Sequence, residues 1–196
     1  MSKSKIFQEE DVKKWALNRI PPKRHPHVQG VVESATQLAQ LYVPDQVHLA
    51  RLAGWLHDAA KHLPDDELLR IAEAHNYPIT PTERLVPMLL HGAVGYFIAN
   101  DEFGFNDQNL LMACAYHTTG HPEMNRLAQV VMLADLIEPT RNFEGVERLR
   151  QLAMQDLSEA LLLSLDLTIQ YIIQKRQILD ERAILLRNKL LIDNRA

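Results

Sequence analysis

Apolar residues recur at spacings of three and four along most of the chain, and no stretch alternates convincingly between apolar and polar positions. Spacings of three and four are typical of amphipathic α-helices, whereas strict alternation is typical of half-buried strands. Together with the prolines and capping residues, the pattern predicts helices over about 8–19, 27–42, 45–60, 64–76, 81–101, 107–118, 123–138, 144–153 and 156–191. Asp45, directly after Pro44, is the predicted N-cap of the third helix.

These elements predict an all-α fold, a compact helical bundle with short connections. The chain of 196 residues has no repeat and no Gly/Ser linker, which favours one domain over residues 1–196. Its core is expected at about 20–150, followed by a long helical tail at about 155–191. The tail has more apolar residues than one stripe needs, so it can pack on the domain or on a second subunit of a homodimer.

Polar residues interrupt the predicted apolar faces. In the stretch LAGWLHDAAKHLP, residues 52–64, a buried-helix pattern ends in an adjacent His-Asp pair. The inward polar set is His27, His57, Asp58, His91, His117 and Asp135. One inward histidine is usually a hydrogen-bonded core residue, but burying six titratable groups is costly unless they are paired or bind a metal. We therefore predict that these residues converge on a metal site, and we expect the other histidines, His25, His48, His62, His75 and His121, at the surface.

Imidazole nitrogens mixed with carboxylate oxygens suit Fe, Mn, Zn, Co or Ni better than Ca or Mg. Cys114 is the single cysteine, so a cysteine-ligated structural zinc site is excluded. An octahedral metal with four protein ligands would leave positions for water and a substrate oxygen. The spacing alone does not choose among these metals.

Three cations lie within about two helical turns of candidate ligands. Arg24 precedes His27 by three residues, Lys61 follows Asp58 by three, and Arg141 follows Asp135 by six. Each alone is most simply a solvated surface charge. Together around a metal they indicate a phosphate site.

Charge and composition narrow the partners. A formal net charge of −4 argues against a role in coating nucleic acid, which needs a basic face. The chain shows no secretory signal and no apolar run of the length of a membrane span, so no membrane association is expected. A lone Cys114 among apolar residues suits a reducing cytoplasm and is expected to be buried filler, not a nucleophile.

Several blocks resemble a known family. HPHVQGVVESA, AGWLHDAAKHLP and MLADLIEPTR resemble the HD-domain metal-dependent phosphohydrolases, whose motif is a histidine, an adjacent His-Asp pair and a distal aspartate. LLHGAVGYFI, YHTTGHPEM and ADLIEPTRNFEGVERLR are similar to the YqeK-type branch, the bacterial symmetrical diadenosine tetraphosphate hydrolases. The resemblance runs from about residue 24 to 150 and implies an HD-domain helical bundle.

The resemblance also implies site residues. It assigns metal ligation, with iron the metal it suggests, to His27, His57, Asp58 and Asp135. It assigns substrate phosphate contacts to Arg24, Lys61, His91, His117, Thr118 and Arg141, with Asp58 also facing the substrate.

The activity implied is hydrolysis of diadenosine tetraphosphate by metal-activated water to two molecules of ADP. The expected catalytic set is Asp58, Lys61, His91 and His117: Asp58, or Asp135, holds or deprotonates the water, and His117 or His91 donates a proton to the leaving oxygen. Two alternatives stay open. One is another HD-domain activity (nucleotidase, dNTP hydrolase or cyclic-dinucleotide phosphodiesterase), and the other is a non-catalytic nucleotide-binding module.

Overall fold

The computed structural model describes residues 8–194, and over this range the chain forms eleven α-helices. The helices are α1 (Glu9–Arg19), α2 (His25–Tyr42), α3 (Val47–Leu56), α4 (Asp65–Ala74), α5 (Pro81–Leu85), α6 (His91–Phe103), α7 (Gln108–Ala115), α8 (Arg126–Ile137), α9 (Val146–Ala153), α10 (Leu157–Gln174) and α11 (Glu181–Asp193). Three short 3₁₀ turns, Pro22–Arg24, Pro44–Gln46 and Pro87–Leu90, each begin at a proline. The all-α prediction is confirmed for the described residues.

Helices α2, α3 and α8 form the centre of the bundle, with α2 packed against both of the others. α7 closes one side by contacting α3, α6 and α8, while α9 and α10 pack beside α8. The apolar faces predicted from spacing are buried: Val31, Leu38, Leu56 and Leu133, for example, have no exposed surface. This rigid core fixes the helix ends from which the polar centre is built.

Close approach of α2 and α3 depends on a glycine. A Cβ on Gly54 would lie 2.8 Å from Val32 Cγ2 and 3.0 Å from Val32 Cα, which is closer than packed atoms allow. Because Gly54 has no side chain, its backbone can lie against Val32. Helices α2 and α3 are therefore close together just before the His-Asp pair.

Three predicted helix limits are wrong. The 81–101 helix is divided, because Pro87 cannot continue α5 and starts a 3₁₀ turn before α6. Asp45 lies inside the turn Pro44–Gln46 and does not cap α3, which begins at Val47.

The predicted continuous tail 156–191 is also divided, into α10 and α11. Arg176 adopts a left-handed backbone with φ of 52°, which ends α10, and the Asp180 carboxylate accepts from the backbone N–H of Arg182 to begin α11. In the described part of the chain, no helix is long and apolar enough to cross a membrane.

Candidate metal centre

The His-Asp pair lies where α3 ends. After Leu56 the chain continues in turns closed by hydrogen bonds between residues three apart, from Ala59 N–H to Leu56 O and from Lys61 N–H to Asp58 O. This change of geometry brings two consecutive side chains into the interior, because His57 is 0% and Asp58 2% exposed. The polar end of the apolar stripe is thus buried in the bundle.

His27 in the first turn of α2 faces Asp135 in the last turn of α8. The His27 Nε2 atom lies 3.2 Å from Asp135 Oδ1 and 3.5 Å from Asp58 Oδ2. His57 Nε2 lies 3.3 Å from His27 Nε2 and 3.6 Å from Asp58 Oδ2. The packing of α2 against α3 and α8 therefore brings together all four side chains that the resemblance assigns as metal ligands.

His91 at the start of α6 and His117 just after α7 lie close to Asp58. Their Nε2 atoms are 3.1 Å apart, and His91 Nε2 is 3.3 Å from Asp58 Oδ1. A Cβ on Gly92 would lie 2.0 Å from Cys114 O and 2.9 Å from His117 Nδ1. Only glycine permits this close contact between α6 and the end of α7, which holds the two histidines together.

The six residues form two adjacent groups of three with ligand atoms within 4.8 Å of one another. One group is His27, His57 and Asp135; the other is Asp58, His91 and His117. Asp58 links them, since its Oδ2 faces the first group and its Oδ1 faces the second. All six are buried, as the inward spacing predicts.

The histidine hydrogen bonds identify the metal-facing atoms. The Nδ1 atoms of three rings face backbone carbonyls: His57 faces Gly54 O, His91 faces Met88 O and His117 faces Cys114 O. Because a carbonyl only accepts, Nδ1 carries the proton in each neutral ring and Nε2 presents a lone pair.

The Nε2 atoms of His91 and His117 are 3.1 Å apart. If both carry lone pairs, they repel each other unless a cation or a proton lies between them. Asp58 Oδ1 is also buried without a hydrogen bond, with Lys61 Nζ at 3.0 Å as its ion-pair neighbour. Neutral imidazole nitrogens and carboxylate oxygens are the donors that a divalent transition metal prefers. The residues therefore fit a metal centre.

The pKa shifts have clear physical causes. Burial, together with repulsion from the neighbouring His91 and His57, lowers the pKa of His117 to about 3, so this ring is neutral at pH 7. Burial also lowers the pKa of His57. Burial opposes a charged His27 as well, but hydrogen bonds to Asp135 and Asp58 outweigh it and raise its pKa to about 9. Without metal, a proton on His27 offsets part of the negative charge.

All three predicted cations reach the centre. Arg24 and Lys61 both contact the Asp58 carboxylate, the latter at 3.0 Å from Oδ1. Arg141 pairs with the Asp135 carboxylate and donates through Nε to the Asp135 carbonyl at 2.7 Å. Each side chain is about one third exposed, so each joins the buried carboxylates to the solvent side. That is where an incoming phosphate would meet them.

Thr118 is exposed, and its Oγ1 lies 3.0 Å from His117 Nε2, which places it at the rim of the second group. Of the histidines expected at the surface, His48 and His62 are exposed, whereas His25, His75 and His121 are half-buried. His25 contacts the carbonyls of Leu17 and Ile20, His75 stacks on Phe97, and His121 stacks on Tyr116. None of the five belongs to either of the two candidate metal-ligand groups found in the described residues.

Sequence analysis missed Glu138. Its side chain is 0% exposed, and Oε1 lies 2.9 Å from His27 Nδ1. Gly30 makes room for it, because a Cβ there would lie 2.8 Å from Glu138 Oε2. The sequence feature that could have identified Glu138 is its position three residues after Asp135, at the end of the same helix face.

Comparisons with known proteins agree with this geometry. The family model of the HD domain matches residues 24–140, a segment that contains all six residues of the inward polar set. The chain therefore belongs to the HD-domain family.

Three relatives that match most of the chain share one enzyme name. The "Bis(5'-nucleosyl)-tetraphosphatase, symmetrical" of Halalkalibacterium halodurans is 36% identical over 174 residues, covering 88% of this chain and 91% of the relative. The protein of the same name from Bacillus subtilis is 36% identical over 154 residues, covering 79% and 82%. The resemblance stated from the motif blocks is confirmed.

A solved structure supports the fold. The crystal structure of a "predicted HD superfamily hydrolase involved in NAD metabolism" from Clostridium acetobutylicum superposes with a TM-score of 0.89 at 35% identity. The match covers 96% of this chain and 99% of that chain. The arrangement of helices is therefore shared over nearly the whole molecule.

Proposed function

We propose that the protein is a metal-dependent hydrolase that cleaves diadenosine tetraphosphate symmetrically into two molecules of ADP. The observation that carries the proposal is the convergence of four imidazole Nε2 atoms and two carboxylates, surrounded by Arg24, Lys61 and Arg141. Such donors, with cations around them, suit a metal centre that receives an anionic phosphate substrate. The enzyme name shared by the relatives supports the choice of substrate.

Each residue has a role that follows from its contacts. His27, His57, Asp58 and Asp135 would hold a divalent metal, which when bound would supply Lewis acidity and lower the pKa of a water molecule. Asp58 and Asp135 provide the carboxylate oxygens that accept a water proton at the centre. Arg24, Lys61 and Arg141 exchange their carboxylate contacts for phosphate oxygens as the substrate binds.

For His91 and His117 we propose metal ligation as an alternative to the expected proton donation and phosphate contact. The Nδ1 atom of each ring faces a backbone carbonyl, which only accepts, so a neutral ring would carry its proton on Nδ1 and leave the Nε2 lone pair for a cation. Their geometry suits ligation of a second ion with Asp58. The Lys61 ammonium, 3.0 Å from Asp58 Oδ1, then remains as the proton donor nearest the centre.

Product chromatography tests the reaction. Metal-loaded protein should convert diadenosine tetraphosphate to ADP alone from the earliest time point. Equal amounts of AMP and ATP would rule out symmetrical cleavage. Failure to consume the dinucleotide, with turnover of mononucleotides, would favour the nucleotidase alternative instead.

Metal analysis of protein purified without chelators tests the finer assignments. We propose iron as the native metal, with Mn, Co, Ni or Zn as substitutes in the same donor set. Two ions per chain would agree with ligation by both groups, whereas one ion would leave His91 and His117 to contact phosphate. Loss of turnover on chelation is expected, and full activity in a metal-free preparation would refute metal dependence.

The remaining proposals concern partners and location. We propose a homodimer that uses exposed aliphatic side chains on and before α11, among them Ile178, Ile184, Leu185 and Ile192. Light scattering that gives a monomer mass would contradict it. We also propose a cytoplasmic enzyme that binds small nucleotides and no nucleic acid, supported by the net charge of −4 and the single, buried thiol of Cys114.

A further inference from the structure

A cavity of about 730 Å³ lies between the end of α8, the connection from α8 to α9, and one face of α10. Arg141 lines this cavity and also pairs with Asp135. Leu136, the residue directly after Asp135, lines it as well. The cavity therefore adjoins the candidate metal centre at the end of α8, and the two share Arg141.

We propose that this cavity binds one nucleoside of the dinucleotide substrate, with Arg141 marking the path of the phosphates from the nucleoside to the metal centre. The inference rests on the proposed function and assigns a nucleoside subsite to it. The volume falls within the range of about 300–1,000 Å³ that small-molecule sites occupy. None of the residues that line the cavity belongs to the inward polar set.

The walls suit a planar base. Phe143 on the connection and Tyr171 on α10 supply aromatic rings, while Leu136 and Leu167 supply aliphatic surface. Gly145, with φ of 92°, turns the backbone away between Phe143 and α9, and Leu167 lies 3.5 Å from the position of a Cβ there. A purine gains stacking and apolar contact from such a surface whatever its polar edge.

The polar groups of the cavity suit the base edge and the ribose. Gln170 and Gln174 are exposed on the cavity face of α10, and their amides can both donate and accept. The Glu144 carboxylate only accepts, which fits ribose hydroxyls or an exocyclic amine. Because like charges repel, the Glu144 carboxylate disfavours a phosphate beside it, so the phosphates are directed toward Arg141.

A second cavity does not offer an equivalent site. Its volume is about 290 Å³, and it is lined by residues such as His48, Leu52 and Leu110, none of which belongs to the polar centre. With one nucleoside in the larger cavity, the other ADP unit extends toward solvent. A single anchored nucleoside diphosphate then sets the attacked phosphorus at a fixed distance from the base.

Binding measurements separate the base subsite from the phosphate centre. Calorimetry with metal-loaded protein compares ADP with inorganic pyrophosphate, which lacks the nucleoside. Tyr171, 56% exposed, can be replaced without a core defect, and Tyr171→Ala should weaken ADP binding about tenfold while pyrophosphate binding stays unchanged. Thr168→Trp, which fills the cavity, should weaken ADP binding further.

Ile173→Ala is the matched control, because Ile173 is 62% exposed on the same helix and does not line the cavity. Wild-type protein that binds ADP no more tightly than pyrophosphate would overturn the subsite. So would a Tyr171→Ala variant with unchanged ADP affinity, or one in which both affinities fall together. These comparisons hold even if diadenosine tetraphosphate is not cleaved, so failure of the proposed reaction is distinguishable from failure of the subsite.

Discussion

The Glu138 carboxylate accepts a hydrogen bond from His27 Nδ1 at 2.9 Å and so joins the end of α8 to the start of α2. Thr140 fixes the same carboxylate through its backbone N–H and its hydroxyl, both at 2.6 Å. With Nδ1 engaged, the His27 ring presents Nε2 to Asp135 and Asp58. Glu138 is therefore a positioning residue for a candidate metal ligand.

Glu138→Ala should lower metal affinity about 10- to 100-fold, because the His27 ring loses the partner that sets its orientation and tautomer. Glu138→Gln keeps an acceptor oxygen and should lose less. Titration of metal into metal-free protein measures both. Glu147→Ala is the control, since that side chain is exposed and its ion pair is with Arg150, not with a candidate ligand. Unchanged affinity in a folded Glu138→Ala protein would contradict the positioning role.

Asp58→Ala and His27→Ala should both lose bound metal and turnover while the far-UV helical signal is retained. Helices α2, α3 and α8 are held by apolar side chains, so the fold does not depend on the ligands. In Asp58→Ala the freed Arg24 and Lys61 are about one third exposed and can turn to solvent. A variant that keeps both metal and wild-type turnover would show that the ligand set is wrong.

The sequence predicts which side chains lie inside, and burial agrees for all six residues of the polar set, from His27 to Asp135. Helical periodicity is enough for this, because a residue four or seven positions from buried neighbours shares their face. The all-α architecture follows from the same periodicity. The ligand roles themselves remain predictions.

Periodicity cannot predict how faces meet. That Asp58 directs one oxygen toward His27 and the other toward His91 depends on the turns after α3 and on the contact of Gly92 with Cys114. The break before Asp180 was missed for a similar reason. The residues around the break have the apolar spacing of a helix. The position of α11 depends instead on a long-range ion pair between Arg182 and Glu83, which local spacing does not reveal.

Lys61→Ala should keep its metal and lose turnover on the order of 100-fold, because a charge that stabilises the phosphates in the transition state is removed. Metal affinity should not fall, since Lys61 now neutralises an oxygen of Asp58 that faces the second group. Metal content tests whether the variant keeps its metal, and steady-state rates test whether it loses turnover. Lys13→Ala, at an exposed pair with Glu10, is the matched control. Loss of metal together with rate would instead indicate a structural role for Lys61.

Arg182→Ala should destabilise the protein by about 3–5 kcal/mol, because it leaves the buried carboxylates of Glu83 and Asp180 without their shared partner. Arg187 lies on α11 like Arg182 but forms a half-exposed pair with Asp166 of α10, so Arg187→Ala should cost about 0–1 kcal/mol. Urea denaturation of metal-free protein compares the two free energies of unfolding. Similar small losses would show that the Arg182 pair is not what fixes α11.

The raised pKa of His27 predicts a pH dependence for the metal-free protein. Burial opposes the charge, but hydrogen bonds to Asp135 and Asp58 outweigh it, so the folded-state pKa is about 9 against 6.5 when unfolded. A group whose pKa is raised on folding stabilises fully below the unfolded value and loses that contribution as pH rises through the folded one. His117, with its pKa lowered to about 3, affects stability only below about pH 6.5.

Between pH 7 and about 9.5 the metal-free protein should therefore lose up to about 3 kcal/mol of unfolding free energy. Urea midpoints across this interval measure the loss, and His27→Gln, which cannot titrate, should show a flatter profile. Metal binding needs the unprotonated Nε2, so metal uptake near pH 7.5 should release about one proton from this residue, measurable by calorimetry in buffers of different ionisation enthalpy. Stability that is constant or rises across the interval in the wild-type metal-free protein would show that His27 is not protonated there.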